Sequence, residues 1–309
     1  MKILFASSSD DPADWVPTLM AELPEAEIRV HPDVGDPAGI DYALVWKPPP
    51  GLLAALPNLK AILSLGAGVD ALLADPTLPG GVPLARLVDP GLTVGMTDYV
   101  CWQVLAAHRR AADYRAQQAR VRWRPLAEAL APERRVGVMG LGELGADAAR
   151  MLAALRFDVA GWSRSAKSIP GVACFSGAEG LAEFLARTEI LVCLLPLTPQ
   201  TAGVLDADLF ARLPRGAHVI NAGRGGHLVD TDLLAALDSG QVSTAALDVF
   251  HDEPLPAVHP FWRHPRVTVT PHVASVTHAR SAARTIAADI RRLEAGQPPA
   301  HPVDRRRGY

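Results

Sequence analysis

Arg224, Glu253 and His272 each follow closely on an apolar run of the chain. A histidine can give a proton to a ketone oxygen near neutral pH while hydride arrives at the carbon. A carboxylate beside the imidazolium would hold its orientation and stabilise its charged form, the part read for Glu253. Arg224 could fork onto a substrate carboxylate and polarise the neighbouring carbonyl. Taken singly these residues are ordinary, because the chain has 10 His and because most Arg and Glu are solvated surface charges. Only their shared place after apolar runs lifts them. The neighbourhood of His251, Asp252, Glu253, His259 and His264 could also be read as metal ligands, but prolines interrupt it and its spacing is not helical, so no metal is expected.

Residues so far apart in sequence meet only if the runs before them are strands of one parallel sheet, whose ligands sit outside the carboxyl ends of the strands. Strand-like runs recur at Val136–Met139, Val159–Trp162, Ile190–Leu194, Ala217–Asn221, Ser243–Val249 and Val267–Thr270, with mostly helical stretches between them. The pattern predicts an α/β architecture with one doubly wound parallel sheet, a Rossmann domain. The first run enters Gly140-Leu141-Gly142-Glu143-Leu144-Gly145, and an alanine-rich helical pattern follows to Leu155. In a dinucleotide-binding turn the first glycine makes the bend, the second lets the backbone approach a pyrophosphate and the third allows close helix packing. The helix N-terminus then faces the phosphates. At the end of the second run, where an acidic residue would bind a ribose 2′-OH, the chain has Ser163-Arg164-Ser165 and then Lys167. Cations and hydroxyls suit a 2′-phosphate, so NADP, as NADPH, is the expected cofactor; the alternative is a solvated basic turn. The strand-end rule adds Leu195, Pro196 and Thr201 after the third run and Ala222 and Gly223 after the fourth.

The first hundred residues read as a smaller α/β domain, with runs at Lys2–Ala6, Ile28–Val30, Tyr42–Trp46 and Ala61–Leu65 and a helix start at Asp11-Pro12. Two loops stand out there, Trp46-Lys47-Pro48-Pro49-Pro50 and, after Leu65, Gly66-Ala67-Gly68-Val69-Asp70. The second could present successive N–H groups to a carboxylate, or could simply be a tight turn that needs glycine. A pattern with few breakers from Thr97 to about Arg122 predicts a single helix carrying the chain into the second domain. Its basic end, from His108 to Arg124, is read as a charged helix face or subunit interface rather than a nucleic-acid patch, since no aromatic series accompanies it. A helical pattern from about Val276 to Glu294 returns the chain to the first domain, and an extended end is expected after Pro298. The domains are therefore drawn as 1–97 with 285–309 for substrate and 98–284 for dinucleotide.

Composition fits this plan. The chain has 309 residues, 49% of them hydrophobic, enough for two cores. Lys and Arg total 30 against 33 Asp and Glu, and the net charge of −3 offers no general attraction to nucleic acid or an anionic membrane. No apolar run approaches membrane-spanning length, and no signal segment is read at the N-terminus, so a cytoplasmic protein is expected. Cys101, Cys174 and Cys193 lack metal or redox spacing and are expected as buried free thiols.

The chain resembles the D-2-hydroxyacid dehydrogenases, and within them the glyoxylate/hydroxypyruvate reductase A branch. The resemblance rests on Tyr42-Ala43-Leu44-Val45-Trp46, Leu65-Gly66-Ala67-Gly68-Val69-Asp70, Gly161-Trp162-Ser163-Arg164-Ser165, Leu233 to Gly240, Leu247-Asp248-Val249-Phe250, Glu253-Pro254-Leu255-Pro256, Thr270-Pro271-His272-Val273-Ala274 and the terminal Arg307-Gly308-Tyr309. It implies a Rossmann domain joined to a smaller flavodoxin-like domain, NADPH-dependent reduction of small 2-oxo acids such as glyoxylate and hydroxypyruvate, and Arg224, Glu253 and His272 as the catalytic set. It further implies that the Gly66-Ala67-Gly68 amides, next to Leu65, bind the substrate carboxylate with Trp46 near the substrate, and that Asp248 and the Leu195-Pro196 turn touch the cofactor. A homodimer packed through the dinucleotide domain is implied too, with Trp123 reaching the partner's active site. Asp98 stands where relatives often carry Glu or Gln. Two alternatives remain open: a dehydrogenase for a bulkier 2-oxo acid, or a non-catalytic nucleotide-sensing protein on the same fold.

Overall fold

The computed structural model describes residues 1–309. Met1–Leu92 with Val276–Tyr309 make one compact unit, and Thr93–Ser275 make the other. The sequence pattern places these divisions after residues 97 and 284. The first falls inside the continuous helix Pro90–His108, so no loop marks it.

In the first unit the chain runs through β1 (Lys2–Ser7), α1 (Pro12–Glu22), β2 (Glu27–Val30), β3 (Tyr42–Trp46), β4 (Ala61–Ser64), α2 (Asp70–Leu73) and β5 (Leu84–Ala85). The strands form one parallel sheet in the order β2-β1-β3-β4-β5, the flavodoxin-like arrangement. Every residue of β4, and of β3 apart from Trp46, is buried, which explains why apolar runs rather than alternation marked these strands. α1 starts where Asp11 caps it, accepting from the Ala13 N–H at 2.8 Å, with Pro12 in the first turn. β5 is only two residues long and gave no periodic signal. It receives the end of the chain: the Val303 N–H donates to the Leu84 carbonyl at 2.8 Å and the Arg86 N–H to that of His301 at 3.2 Å. The terminus expected to be extended is so only there, and it then turns back on Asp304, whose carbonyl accepts from Gly308 at 2.9 Å.

The second unit opens on α3 (Pro90–His108) and α4 (Ala111–Ala119). These replace the single helix expected from Thr97 to Arg122: Arg110 takes the left-handed region with φ 56° and breaks the helix. Nothing in His108-Arg109-Arg110 signals this, since a left-handed residue is usually Gly or Asn. Arg110 is held there by its own bonds, to Asp113 at 2.8 Å and to the Ala127 carbonyl at 3.4 Å. Then come β6 (Arg135–Met139), α5 (Glu143–Ala154), β7 (Asp158–Ser163), β8 (Ala173–Ser176), α6 (Gly177–Arg187), β9 (Ile190–Cys193), α7 (Ala207–Arg212), β10 (Ala217–Asn221), α8 (Asp230–Ser239), β11 (Val242–Leu247) and β12 (Val267–Val269). The sheet order is β12-β11-β10-β9-β6-β7-β8, all parallel, a doubly wound Rossmann sheet whose order reverses at β6. Two apolar cores cover its faces, one around Val138, Ala148, Leu152 and Val192, the other around Leu191, Phe210, Leu233 and Leu237. The edge strand β8 escaped sequence reading because its residues are exposed or half-buried and not apolar enough to form a run.

α9 (Ala279–Glu294) returns to the first unit, where the Tyr42 hydroxyl donates to Glu294 at 2.5 Å and ties β3 to the end of that helix. The cysteines are all free thiols, but only Cys193, on a central strand, is buried; Cys101, on α3, and Cys174, on the edge strand β8, are half-buried.

Candidate active site

The carboxyl end of the large sheet is built around β6, where the strand order reverses. Three glycines follow it and each has a different duty. Gly140 has φ 102°, and a Cβ there would meet the Leu194 carbonyl oxygen at 2.6 Å. Gly145, in the first turns of α5, lies so close to the preceding bend that its Cβ would be 1.8 Å from the Gly140 oxygen. At Gly142, by contrast, a Cβ would meet nothing within 4 Å. Gly140 and Gly145 let protein pack on protein, and Gly142 between them faces open space at the helix N-terminus. That arrangement fits a pyrophosphate. Leu141 is buried against Gly161, whose Cβ would lie 2.5 Å from the leucine methyl, while Glu143 is exposed and Leu144 half-buried.

At the end of β7 the Ser163 hydroxyl donates to the Ser165 carbonyl at 2.7 Å, shaping the turn from within. Arg164, Ser165 and Lys167 are exposed beyond it, a cationic cluster able to meet a ribose phosphate. After β9 the Thr201 hydroxyl donates to the Pro196 carbonyl at 2.7 Å and accepts from the Thr198 N–H at 2.8 Å, so it closes the Leu195-Pro196 turn.

After β10 the buried Asn221 shapes the loop that carries Arg224. Its amide donates to the Arg224 carbonyl at 3.0 Å and its oxygen accepts from the Gly223 N–H at 3.2 Å. The Arg224 N–H donates to Nδ1 of buried His227 at 3.1 Å, and Ala222 is buried beneath. Asn221 and His227 were missed in the sequence; the one available signal was a polar residue closing an apolar strand. Gly225 brings this loop against the next, for a Cβ there would be 1.9 Å from the Phe250 carbonyl carbon.

After β11, Glu253 folds back to accept from the Phe250 N–H at 3.2 Å with one oxygen and meets His272 Nδ1 at 2.8 Å with the other. Glu253 and His272, 19 residues apart, are thus a hydrogen-bonded pair. With Nδ1–H donating to the carboxylate, Nε2 is left for a substrate oxygen. Their side chains are 23% and 31% exposed, sheltered yet reachable by a small molecule. Asp248 lies under the pair, accepting at one oxygen from the Thr270 hydroxyl (2.7 Å) and the Val273 N–H (2.9 Å) and at the other from the Ala274 N–H (2.8 Å). The remaining acid and histidine neighbours go elsewhere: His259 and His251 lie 3.2 and 3.8 Å from Asp230, and Asp252 is exposed. No group of three or more such side chains is arranged to hold a metal ion.

In the first unit Trp46 closes β3 and its ring lies over Gly66, where a Cβ would be 2.4 Å from the indole. The Gly66 N–H donates to the buried Ser64 hydroxyl at 3.2 Å, and the Thr277 hydroxyl donates to the Leu65 carbonyl at 2.9 Å. The loop is therefore held by its neighbours while the Ala67 and Gly68 N–H groups have no acceptor within the chain. Of the amides expected to face an anion, those two remain able to do so.

Residues 101–274 match the family described as D-isomer specific 2-hydroxyacid dehydrogenase, NAD binding domain. The glyoxylate/hydroxypyruvate reductase A of Serratia proteamaculans (strain 568) is 48% identical over 314 residues, covering 100% of both chains. A D-isomer specific 2-hydroxyacid dehydrogenase from Xanthobacter autotrophicus Py2, solved in complex with NADPH and MES, is similar at 47% identity and a TM-score of 0.96 over 100% of this chain and 99% of that one. The NADPH-dependent glyoxylate/hydroxypyruvate reductase of Sinorhizobium meliloti, solved with NADP and sulfate, gives 43% identity and a TM-score of 0.94 over the same shares.

Proposed function

Because the chain belongs to the D-isomer specific 2-hydroxyacid dehydrogenase family, we propose that it is an NADPH-dependent reductase of small 2-oxo acids, glyoxylate and hydroxypyruvate foremost. The observation that carries the reading is the Glu253–His272 pair, at 2.8 Å, on strand-end loops of the sheet that also bears the Gly140–Gly145 turn. NADPH, when bound, supplies the hydride. The chain supplies the rest. Gly142 leaves room for the pyrophosphate before the α5 N-terminus, and Arg164 with Ser165 and Lys167 meets the 2′-phosphate. His272 gives the proton from Nε2 to the developing alkoxide, and Glu253 holds the imidazole ring by its Nδ1. Arg224 binds the substrate carboxylate and polarises the adjacent carbonyl; in the other unit the Ala67 and Gly68 amides, beside Trp46, are able to hold an anion.

The Thr93–Ser275 unit is assigned to the dinucleotide and the other unit to substrate recognition. The protein is a homodimer that packs through the dinucleotide unit. This reading is supported by the apolar side chains that unit exposes on and after α3, among them Trp102 (53%), Val121 (95%) and Trp123 (99%). Trp123 is assigned to the partner's active site. No helix is long and apolar enough to cross a membrane, and the free thiols suit the reducing cytoplasm. Steady-state NADPH oxidation with glyoxylate and hydroxypyruvate, run beside NADH, is the direct test: turnover of both acids with NADPH preferred is expected, and no turnover with either acid refutes the assignment.

A further inference from the structure

His272 has φ 54°, a left-handed backbone that a residue with a side chain keeps only when its surroundings impose it. Glu253 fixes the imidazole but not the backbone. The backbone is fixed from below, by Asp248: its carbonyl accepts from the His272 N–H at 2.9 Å, and its carboxylate takes the next two N–H groups, Val273 and Ala274, at 2.9 and 2.8 Å. A buried carboxylate can do this only while it is itself oriented. Asp248 is 1% exposed, and its third donor is the Thr270 hydroxyl at 2.7 Å. Since that proton goes to Asp248, the Tyr99 hydroxyl, 2.8 Å from the Thr270 oxygen, is the donor to it. Tyr99 comes from α3, is 6% exposed, and has Trp102 edge-on against its ring at 5.6 Å. Burial pushes its phenol up to about 12, so it keeps its proton through the neutral range.

We propose that Tyr99 and Thr270 are positioning residues for the proton donor: the chain Tyr99 to Thr270 to Asp248 sets the left-handed loop and thereby aims His272. The proposal rests on the reading of His272 as the general acid. The effect of Tyr99 passes through two hydrogen bonds and the loop backbone. A buried tyrosine that only fills the core would give its hydroxyl to any nearby acceptor; this one gives it to the group that orients the loop.

The test uses the full-length protein with Tyr99→Phe, Thr270→Val, Thr270→Ser and, as reference, His272→Ala. Expected for Tyr99→Phe and Thr270→Val is a kcat lower by about fivefold to tenfold, the factor that corresponds to losing one ordering hydrogen bond, with KM for NADPH and for the 2-oxo acid unchanged. Thr270→Ser keeps the hydroxyl and restores kcat. Amide exchange in the segment Thr270–Ser275, followed by mass spectrometry without cofactor, quickens in the first two variants and not in the third. Wild-type kcat in Tyr99→Phe beside an inactive His272→Ala overturns the positioning role alone, as does a loss confined to NADPH affinity. Near-normal turnover in His272→Ala overturns the acid assignment and this proposal with it. Should Thr270→Val not fold, Tyr99→Phe, which removes one surface-sheltered hydroxyl and no carbon, decides the matter.

Discussion

Alanine at Gly142 should leave the fold intact and impair NADPH binding, whereas alanine at Gly145 should impair the fold first. Gly142 has φ −77° and ψ −164°, a backbone open to any residue, and its Cβ would meet nothing within 4 Å. Two small effects on stability then oppose each other. Alanine restricts the unfolded chain, which contributes about 0.4–1 kcal/mol to stability, and it is a poorer N-cap than glycine, which costs about 0.5 kcal/mol. The balance lies within about 0.5 kcal/mol of zero. The added methyl nevertheless occupies the space a pyrophosphate needs, and a loss of about 1.4–2.8 kcal/mol, or ten- to a hundredfold in Kd, is expected. Gly145 differs because the atom 1.8 Å from its Cβ is a backbone oxygen, that of Gly140, which cannot swing aside. The bend and the helix must separate, at a cost of about 1–3 kcal/mol or more. For a unit of this size that is a fall in Tm of roughly 5 °C. Thermal melts without cofactor and fluorescence titration with NADPH separate the two effects. Wild-type NADPH affinity in Gly142→Ala, or a wild-type melt in Gly145→Ala, would refute the division of labour.

Glu253→Gln keeps the size of the side chain but removes the charge opposite His272, so kcat should fall about ten- to a hundredfold with KM for NADPH little changed; an unaltered kcat would remove Glu253 from the reaction. Replacing Arg164 and Lys167 together by alanine should lower kcat/KM for NADPH by about ten- to a hundredfold and leave that for NADH nearly untouched. A preserved preference would place the 2′-phosphate elsewhere. His218 links stability to pH: burial foremost, then Arg134, lowers its pKa from 6.5 to about 4, so the folded state keeps it neutral while the unfolded chain takes up the proton. Its contribution is complete above pH 6.5 and is lost as pH falls towards 4, by up to roughly 3 kcal/mol; urea midpoints for His218→Gln should vary less over that window, and an identical slope to wild type would contradict this.

Elements buried on both faces were legible in the sequence. β3 and β10 run over the same residues as their apolar stretches, Tyr42–Trp46 and Ala217–Asn221, because a central parallel strand shows as an uninterrupted run. Elements that bury little left no such trace. β8 is exposed or half-buried along its length, β5 has two residues, and the break at Arg110 depends on a left-handed residue held by its side-chain bonds to Asp113 and Ala127. The same divide runs through the site. Arg224, Glu253 and His272 could be found because their side chains have chemistry of their own and stand after strands. Asn221, His227 and Tyr99 were silent because they act on backbone groups or through another side chain, partners that a linear sequence does not reveal.

Glycine shows best why the site needed the fold to be understood. Neighbouring parallel strands lie about 4.8 Å apart, so the loops leaving their carboxyl ends are crowded before any ligand arrives. Here the crowding is relieved by glycine at successive strand ends: Gly140 against the Leu194 carbonyl oxygen (2.6 Å to a Cβ), Gly223 against that of Leu195 (3.2 Å) and Gly225 against Phe250 (1.9 Å). Gly142, by contrast, faces open space, where a Cβ would meet nothing within 4 Å. Most of the glycines that a motif search attributes to a nucleotide therefore serve the loops themselves, by letting the segments that carry Arg224, Glu253 and the phosphate turn nest closer than any side chain would permit. It follows that Gly225→Ala should disturb Glu253 as well as Arg224, its neighbour in the chain, because the clash with Phe250 pushes apart the two loops on which they stand.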